Sequence, residues 1–229
     1  KTYTGSVNTT SGFSIIKYTG NGTAGHTIPH HLGVAPKMII VKSIAAVQSW
    51  IVLPPTSDGY NKDMKLEDTS LLGNSDVWNN TAPTSTVFSV GSNTNMNDNN
   101  AAFIAYCFAE KTGYSKFGSY TGNGNADGTF VYTGMKPAFV MMKCSSHAVN
   151  WGIYDNKRVG YNEVKNVLFP NLNDAENTDL APIDLLSNGF KMRRNDSAND
   201  QNNKGGATYI YMAFGQSLVG TNNIPANAF

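Results

Sequence analysis

The stretch Tyr18-Thr19-Gly20-Asn21-Gly22 returns letter for letter as Tyr120-Thr121-Gly122-Asn123-Gly124. Four further matches follow in the same order. They are Pro36-Lys37-Met38-Ile39-Ile40-Val41-Lys42 with Pro137-Ala138-Phe139-Val140-Met141-Met142-Lys143, Trp50 with Trp151, Phe88 with Phe190, and residues 102–108 with residues 208–214. The offset stays between about 101 and 106 throughout, and a fixed offset is the signature of an internal repeat. The sequence therefore predicts a tandem duplication.

The matched segments set the domain boundaries. One copy covers residues 12–110 and the other residues 113–217, with a short joint at 111–113. An N-terminal arm (1–11) and a C-terminal tail (218–229) lie outside the repeat. They carry the large apolar side chains Tyr3, Leu218, Val219, Ile224 and Phe229. We expect these side chains to pack on a neighbouring subunit. The alternative is that each tail folds back on its own domain.

The duplication also decides an ambiguous local pattern. Residues 101–110 taken alone could form a helix, but the matching residues 207–215 are rich in Tyr, Ile, Met and Phe, which favour strands. We therefore predict strands in both copies. The strands predicted in the first copy are 13–19, 25–30, 37–43, 49–53, 64–69, 86–91 and 102–109. The predicted fold is all-β, with two tandem duplicated β-sandwich domains of jelly-roll-like type.

Composition agrees with this fold class and limits the function. Charged residues make up 14% of the 229 residues and the net charge is +1, so no basic face indicates nucleic-acid binding. With 28 asparagines, 22 glycines and 11% aromatic residues, the chain is typical of short strands joined by turns, not of a coiled coil or a disordered segment. The longest apolar run is too short to cross a membrane, and no signal-peptide pattern is visible.

Cys107 and Cys144 are the two cysteines. Two thiols cannot make a four-cysteine zinc site or a disulfide-dense scaffold. Both lie in apolar, strand-like runs that do not match each other in the repeat. We expect reduced, buried thiols, with a single disulfide as the alternative.

Residues 20–25, Gly-Asn-Gly-Thr-Ala-Gly, fit the G-x-G-x-x-G pattern of dinucleotide-binding loops. That chemistry needs a helix after the loop and an acidic residue about twenty positions on. His26-Thr27-Ile28-Pro29 follows instead, no carboxylate lies near position 45, and the second copy loses the third glycine. A β-turn is the better interpretation, so we assign no cofactor.

Histidines suggest a metal site, because His26, His30 and His31 lie close together in the sequence. Zinc needs three or four converging ligands. No cysteine is near, and the second copy has no histidine at this place. We interpret these residues, and the isolated His147, as loop histidines that hydrogen-bond to backbone, and we predict no metal site.

Two asparagine-rich stretches, residues 93–100 and 195–203, precede the last strand of each copy. Neither has the glycine and the bidentate glutamate of an EF-hand calcium loop. The sequence predicts solvated hairpin loops, with a weak calcium-binding or sugar-contacting loop as the alternative.

No catalytic signature is present, and no catalytic residue is assigned. The closest carboxylates in the second copy, Asp174, Glu176 and Asp179, lie in a predicted loop. A glycosidase pair could still come from distant positions. Aromatic residues that could stack on sugar rings, or complete a core, are Tyr60, Trp78, Tyr154 and Tyr161.

Several segments together resemble a family of bacteriophage virion proteins that is common in marine phages and cyanophages. These segments are residues 12–22, 30–42, 77–81, 105–110, 113–118, 184–190 and 214–220, beginning Gly12-Phe13-Ser14-Ile15-Ile16-Lys17. His31 departs from the family pattern, which has glycine there.

The resemblance implies a virion component of structural or tail-fibre-like type, assembled in the bacterial host cytoplasm. We therefore expect a non-enzymatic virion protein that acts through homo-oligomeric packing, with a trimer favoured, and through contacts with other virion proteins. Its exposed loops would serve host attachment, with a host-surface glycan as a candidate partner. The alternatives are a carbohydrate-binding receptor-recognition module and a glycan-degrading enzyme.

Overall fold

Two units divide the chain, Lys1–Glu110 and Lys111–Phe229, and the boundary falls at the expected joint. The structure is a computed structural model that describes residues 3–56, 59–195 and 201–215. Within this part of the chain the secondary structure is strands and one short helix. The prediction of an all-β fold is confirmed.

The first unit begins with an edge strand and ends with its longest buried one. Its elements are β1 (Tyr3–Asn8), β2 (Phe13–Thr19), β3 (His26–Pro29), β4 (Met38–Ser43), β5 (Ile51–Leu53), β6 (Lys62–Lys65), β7 (Gly73–Asn74), β8 (Val87–Val90), α1 (Thr94–Asn97) and β9 (Ala102–Phe108).

The second unit contains the remaining strands. They are β10 (Ser115–Thr121), β11 (Phe130–Tyr132), β12 (Pro137–Cys144), β13 (Gly152–Asp155), β14 (Ile183–Leu186), β15 (Gly189–Met192) and β16 (Thr208–Gly215). Strands at 102–108 and 208–215 confirm that these segments are not helices.

In the first unit a large antiparallel sheet in the order β1-β2-β9-β4-β5-β6-β7 faces a small sheet formed by β3 and β8. Tyr18 of β2 joins the two layers, because its ring stacks on Phe103 at 5.3 Å and meets the edge of Phe88 at 6.3 Å. Both sheets contribute side chains to one buried core. Each layer thus covers the apolar face of the other.

The second unit repeats this order with β10-β16-β12-β13 in one sheet and β11-β15-β14 in the other. Tyr120 takes the place of Tyr18, stacking on Tyr209 at 5.0 Å and meeting the edge of Phe190 at 6.2 Å. The shared strand order supports the duplication inferred from the sequence. A superposition of the two units stays a prediction.

The N-terminal arm adds an edge strand to the first unit. Residues 3–8 form β1, which pairs antiparallel with β2 from Tyr3 opposite Tyr18 to Asn8 opposite Phe13. Ser11 donates its backbone N–H to Asn8 Oδ1 at 3.0 Å and closes the hairpin. The described residues of the arm therefore form an edge strand of their own unit, and packing of their exposed side chains on a neighbouring subunit stays a prediction. The C-terminal tail, 218–229, lies outside the described residues.

Strand boundaries were predicted closely, with one displacement. The segment predicted at 64–69 is β6 at Lys62–Lys65. Met64 is buried and pairs with Val52, and residues 66 and 67 form a turn that ends the strand. The short strands β7 and β14 carry no alternating pattern long enough to detect.

Both cysteines are free and buried, as predicted. Cys107 lies in β9, inside the core of the first unit. Burial raises the pKa of its thiol to about 12, and the neighbouring Ser14 offsets this only in part. The thiol therefore stays protonated in the folded unit at pH values where an exposed thiol ionises.

This burial predicts a pH-dependent loss of stability in the first unit. Because the pKa of Cys107 is higher in the folded than in the unfolded chain, the protonated thiol contributes fully to the free energy of unfolding below pH 9. This contribution is lost between pH 9 and 12. At pH 10 the loss should be about 1.4 kcal/mol. Urea unfolding at pH 8 and pH 10, followed by tryptophan fluorescence, should show a smaller pH effect in Cys107→Ala than in the original chain. An equal effect in both proteins would contradict the assignment.

Candidate functional site

A cleft of about 360 Å³ opens in the first unit between the start of β1, the end of β2, the turn at residues 20–25 and β3. Its walls are backbone and small polar side chains, with a tyrosine at the rim. The lining residues are Tyr3, Tyr18, Thr19, Asn21, Thr23, Ala24, Gly25, His26, Thr27, Ile28 and Pro29.

The turn that forms one wall is held by a buried side chain from α1. Asn97 is fully buried, and its Nδ2 shares two hydrogens among Asn21 Oδ1 (3.1 Å), Thr23 O (2.9 Å) and Gly91 O (2.7 Å). Its Oδ1 accepts from the backbone N–H of Asn21 at 2.9 Å. Four polar groups of the turn and of β8's end therefore depend on one amide. We call this arrangement the asparagine hub.

Glycine is required where the turn meets the hub. A Cβ added to Gly20 would lie 2.2 Å from Asp98 O, and Gly22 has φ of +67°, in the left-handed region. A side chain at the first position would push the turn away from α1, and one at the second would strain the backbone. The repeated sequence Tyr-Thr-Gly-Asn-Gly thus encodes a close backbone approach.

Two aromatic side chains complete the floor of the cleft. Tyr18 donates its Oη–H to Met96 O at 2.7 Å, and burial raises the pKa of this phenol well above its usual value. His26 places Nδ1 3.1 Å from Asn97 Oδ1. Because that amide oxygen can only accept, His26 Nδ1 carries a proton. The asparagine hub therefore orients the floor as well as the wall.

The rim is open and uncharged. Tyr3 is 47% exposed, and its ring centroid lies 5.7 Å from that of His31. Thr19 and Thr27 are exposed on the two strands that flank the cleft. Among residues 3–56, 59–195 and 201–215, no lysine, arginine or carboxylate lines the cleft. Such a surface can offer an aromatic face together with neutral donors and acceptors.

The second unit builds the same hub. Asn203 is fully buried, and its Nδ2 contacts Asn123 Oδ1 (3.1 Å), Asn125 O (2.8 Å) and Arg194 O (2.9 Å). Its Oδ1 accepts from the backbone N–H of Asn123 at 3.1 Å. These four contacts correspond to those of Asn97 with Asn21, Thr23 and Gly91, whereas the contact of Asn97 with His26 belongs to the first unit.

These hubs overturn the interpretation of the asparagine-rich stretches as solvated loops. Residues 94–97 form α1, and its Met96 and Asn97 are buried. In the second stretch Gln201, Asn202 and Asn203 are buried, while residues 196–200 lie outside the described part of the chain. Both stretches lie just before the last strand of their copy, and this shared position was the sequence signal that could have indicated a structural role. Asparagine is mostly exposed in proteins, and this tendency led to the wrong inference.

The dinucleotide-like motif is a turn between β2 and β3, and the prediction of a turn is confirmed. A strand follows it, so no helix N-terminus faces the loop.

The histidines have separate roles. His30 is buried and bonds backbone as predicted: its Nδ1 accepts from Leu32 N (3.2 Å) and its Nε2 donates to Thr84 O (3.1 Å). Burial lowers the pKa of His30, although the bond to Thr84 opposes this. His31 adopts the left-handed backbone conformation, with φ of +59°. His147 contacts Ser146 Oγ at 3.0 Å, so backbone bonding was the wrong prediction for it.

The aromatic candidates divide by exposure. Trp78 and Tyr154 are buried in their cores, so they cannot stack on a ligand. Tyr60 and Tyr161 are exposed. Tyr161 lines a second cleft of about 240 Å³ in the second unit, together with Lys136, Asn156, Lys157, Gly160, Asn162, Val164 and Leu185.

The acidic candidates do not converge on a reacting centre. Glu176 accepts from Arg158 at 2.6 Å and from Asn166 Nδ2 at 2.8 Å. Arg158 also bonds Asp155 at 2.6 Å. Burial raises the pKa of Asp155, but hydrogen bonds from Arg158 and from backbone N–H groups outweigh it and hold the pKa below its usual value. This network secures the loop after β13.

Among residues 3–56, 59–195 and 201–215, no three His, Cys, Asp or Glu side chains lie close enough to share a metal ion. In the same part of the chain, no helix has the length and apolar character needed to cross a membrane.

Comparison with known proteins gives one family. The model of a family described as "Domain of unknown function (DUF7483)" matches residues 2–217, almost the whole chain. No curated protein and no solved structure matches the chain.

The hub predicts a unit-specific loss of stability. Asn97→Ala leaves buried backbone groups of the turn without partners and should cost about 2–4 kcal/mol. Labelling of the two buried thiols in moderate urea identifies the unit that opens. We expect faster labelling of Cys107 with Cys144 unchanged, and Asn203→Ala should reverse this pattern.

The matched control is Asn99→Ala, which alters an exposed asparagine near the same turn and should leave both labelling rates unchanged. If Asn97→Ala accelerated the labelling of both thiols equally, or of neither, the hub would not be the interaction that specifically stabilises its own unit.

Proposed function

From the premise that the chain belongs to the DUF7483 family, we propose that it is a non-enzymatic structural protein of a bacteriophage virion. It acts as a fibre, tail or capsid-surface component through homo-oligomeric assembly, a trimer being the first expectation, and its exposed loops serve host attachment. The resemblance of residues 12–22 and 30–42 to phage virion proteins supports the virion part of the proposal.

The observation that carries the assembly part is the edge strand β1. All six of its residues are exposed, and it contains no charged residue and no proline. Val7 adds exposed apolar surface, with 44% of the residue exposed. Soluble proteins usually protect an edge strand with lysine, proline or a bulge, because its free backbone groups can pair with another strand. An unprotected edge fits a protein that covers it with a second copy of itself.

The buried hydrogen bonds of the two asparagine hubs support a structural role. Each hub binds a turn to a helix or loop that lies more than seventy residues away in the chain. Buried, fully used amide groups stabilise a single conformation. A glycan-degrading activity receives no comparable support, because Glu176 is engaged by Arg158 and Asn166.

Assembly through β1 predicts a specific change in mass. Light scattering at micromolar concentration should give an oligomer for the original chain and a monomer for Val7→Lys, because the substitution places a like charge on each copy's edge. Val47→Lys is the matched control, since Val47 is fully exposed in the loop between β4 and β5. A monomeric original chain, or an oligomer that survives Val7→Lys, would overturn assembly through this edge.

The virion assignment has its own test. Particles of the phage that encodes the chain are purified on a density gradient, analysed by mass spectrometry and labelled with an antibody raised against the purified chain. The chain should be present in the particles at several copies each, and electron microscopy should show the label at one defined place. Absence from purified particles, with the chain found in the lysate, would refute the assignment.

A further inference from the structure

We propose that the cleft between β1, the turn at 20–25 and β3 is a binding site for a neutral saccharide. This inference rests on the proposed attachment function and identifies the place and the chemistry of the attachment.

Charge selects a neutral ligand. Apart from tyrosine hydroxyls, the ionisable group in the lining is His26, and its Nδ1 is engaged with the hub. Among the lining residues that the structure describes, neither a phosphate nor a carboxylate would find a lysine or an arginine. Neutral hydroxyl groups need uncharged donors and acceptors, which the cleft supplies.

An aromatic face stands at the rim. The Tyr3 ring is half-exposed and leans on His31, with the two ring planes 35° apart. Tyr3 lies directly opposite Tyr18 in the sheet, so its ring stands on the core-facing side of β1 and not along the strand's hydrogen-bonding edge. Pairing of β1 with a second copy would therefore use the backbone edge and leave the ring available. An exposed ring of this kind presents an apolar face to the C–H groups of a pyranose and a hydroxyl to water.

The cleft also contains side-chain hydrogen-bonding groups that make no hydrogen bond within the described residues. The Oδ1 of Asn21 accepts from Thr23 N and Asn97 Nδ2, but its Nδ2 makes no hydrogen bond within the described residues. The hydroxyls of Thr19 and Thr27 likewise make none in that part of the chain. The side chain of Asn21 is thus held on one side by the fold and presents its two free donors on the other.

The site is rigid before any ligand arrives. The asparagine hub fixes Asn21, Thr23 and His26 at once, so binding would order few side chains. The volume of about 360 Å³ lies at the lower end of the range for small-molecule clefts, about 300–1,000 Å³. The cleft beside Tyr161 in the second unit is lined instead by Lys136 and Lys157, which suit an anionic ligand.

The experiment is saturation-transfer difference NMR and titration of the whole chain with maltohexaose, cellohexaose and mannohexaose, with oligogalacturonate as the anionic probe. We expect at least one neutral oligosaccharide to bind. Tyr3→Ala should weaken this binding at least about tenfold, and Tyr3→Phe should keep it within about threefold, because the ring is retained. Asn21→Asp, which keeps Oδ1 but loses the Nδ2 donors, should also weaken it.

Tyr161→Ala is the matched control, because it removes a more exposed tyrosine from the cleft of the second unit. Its binding should equal that of the original chain. The proposal is overturned if none of the three neutral sugars binds, if Tyr3→Ala binds as well as the original chain, or if oligogalacturonate is preferred. Circular dichroism and thiol labelling establish that each variant is folded.

Failure here and failure of the proposed function are distinguishable. A chain that is found in purified particles but binds no neutral sugar would refute the saccharide site alone. A chain that binds the sugar through Tyr3 but is absent from particles would refute the virion assignment and leave the site in place.

Discussion

The buried side-chain amide of Asn97 is the interaction on which the first unit depends. It bonds the turn after β2 on one side and the end of β8 on the other, so both sheets of the sandwich meet at one residue. An amide is suited to this place because it has donors and an acceptor at fixed angles and carries no charge. A charged side chain in the same position would have to be desolvated at far greater cost. Gly20 permits the backbone approach that brings the turn within reach.

The second unit keeps this internal arrangement and changes what surrounds it. Asn203 and Gly122 repeat the roles of Asn97 and Gly20, and a Cβ on Gly122 would lie 2.3 Å from Lys204 O. The outer face of β11, by contrast, carries exposed Phe130 and Tyr132. The internal hydrogen bonds tolerate little change because each buried polar group needs its partner. The surface is free of that constraint, and two copies of one scaffold can therefore present different surfaces.

Two surfaces of the first unit have separate uses in the proposed function. The backbone edge of β1 lies in the plane of the sheet and suits a second strand, whereas the Tyr3 ring stands on the face of the sheet beside the cleft. Assembly and attachment then need not compete for the same atoms. An oligomer would also multiply the cleft, and several weak saccharide contacts on one particle bind far more tightly than one. Low net charge suits close packing of identical copies.

Sequence by itself determined the all-β class, the turn at residues 20–25 and the strand at 102–108, because these follow from local composition and from comparing the two halves of the chain. The duplication that this comparison predicts is supported by the shared strand order. The sequence also indicated buried thiols, since both lie in apolar runs. Only the tertiary structure decided that Asn97 is buried, that residues 3–8 pair with β2, and that Tyr3 borders a cleft. Asn97 lies 76 residues from Asn21 in the chain. A polar side chain is predicted to be exposed as long as its hydrogen-bond partners are unknown. Hydrogen-bond satisfaction over such separations depends on the folded backbone, which the order of residues does not reveal.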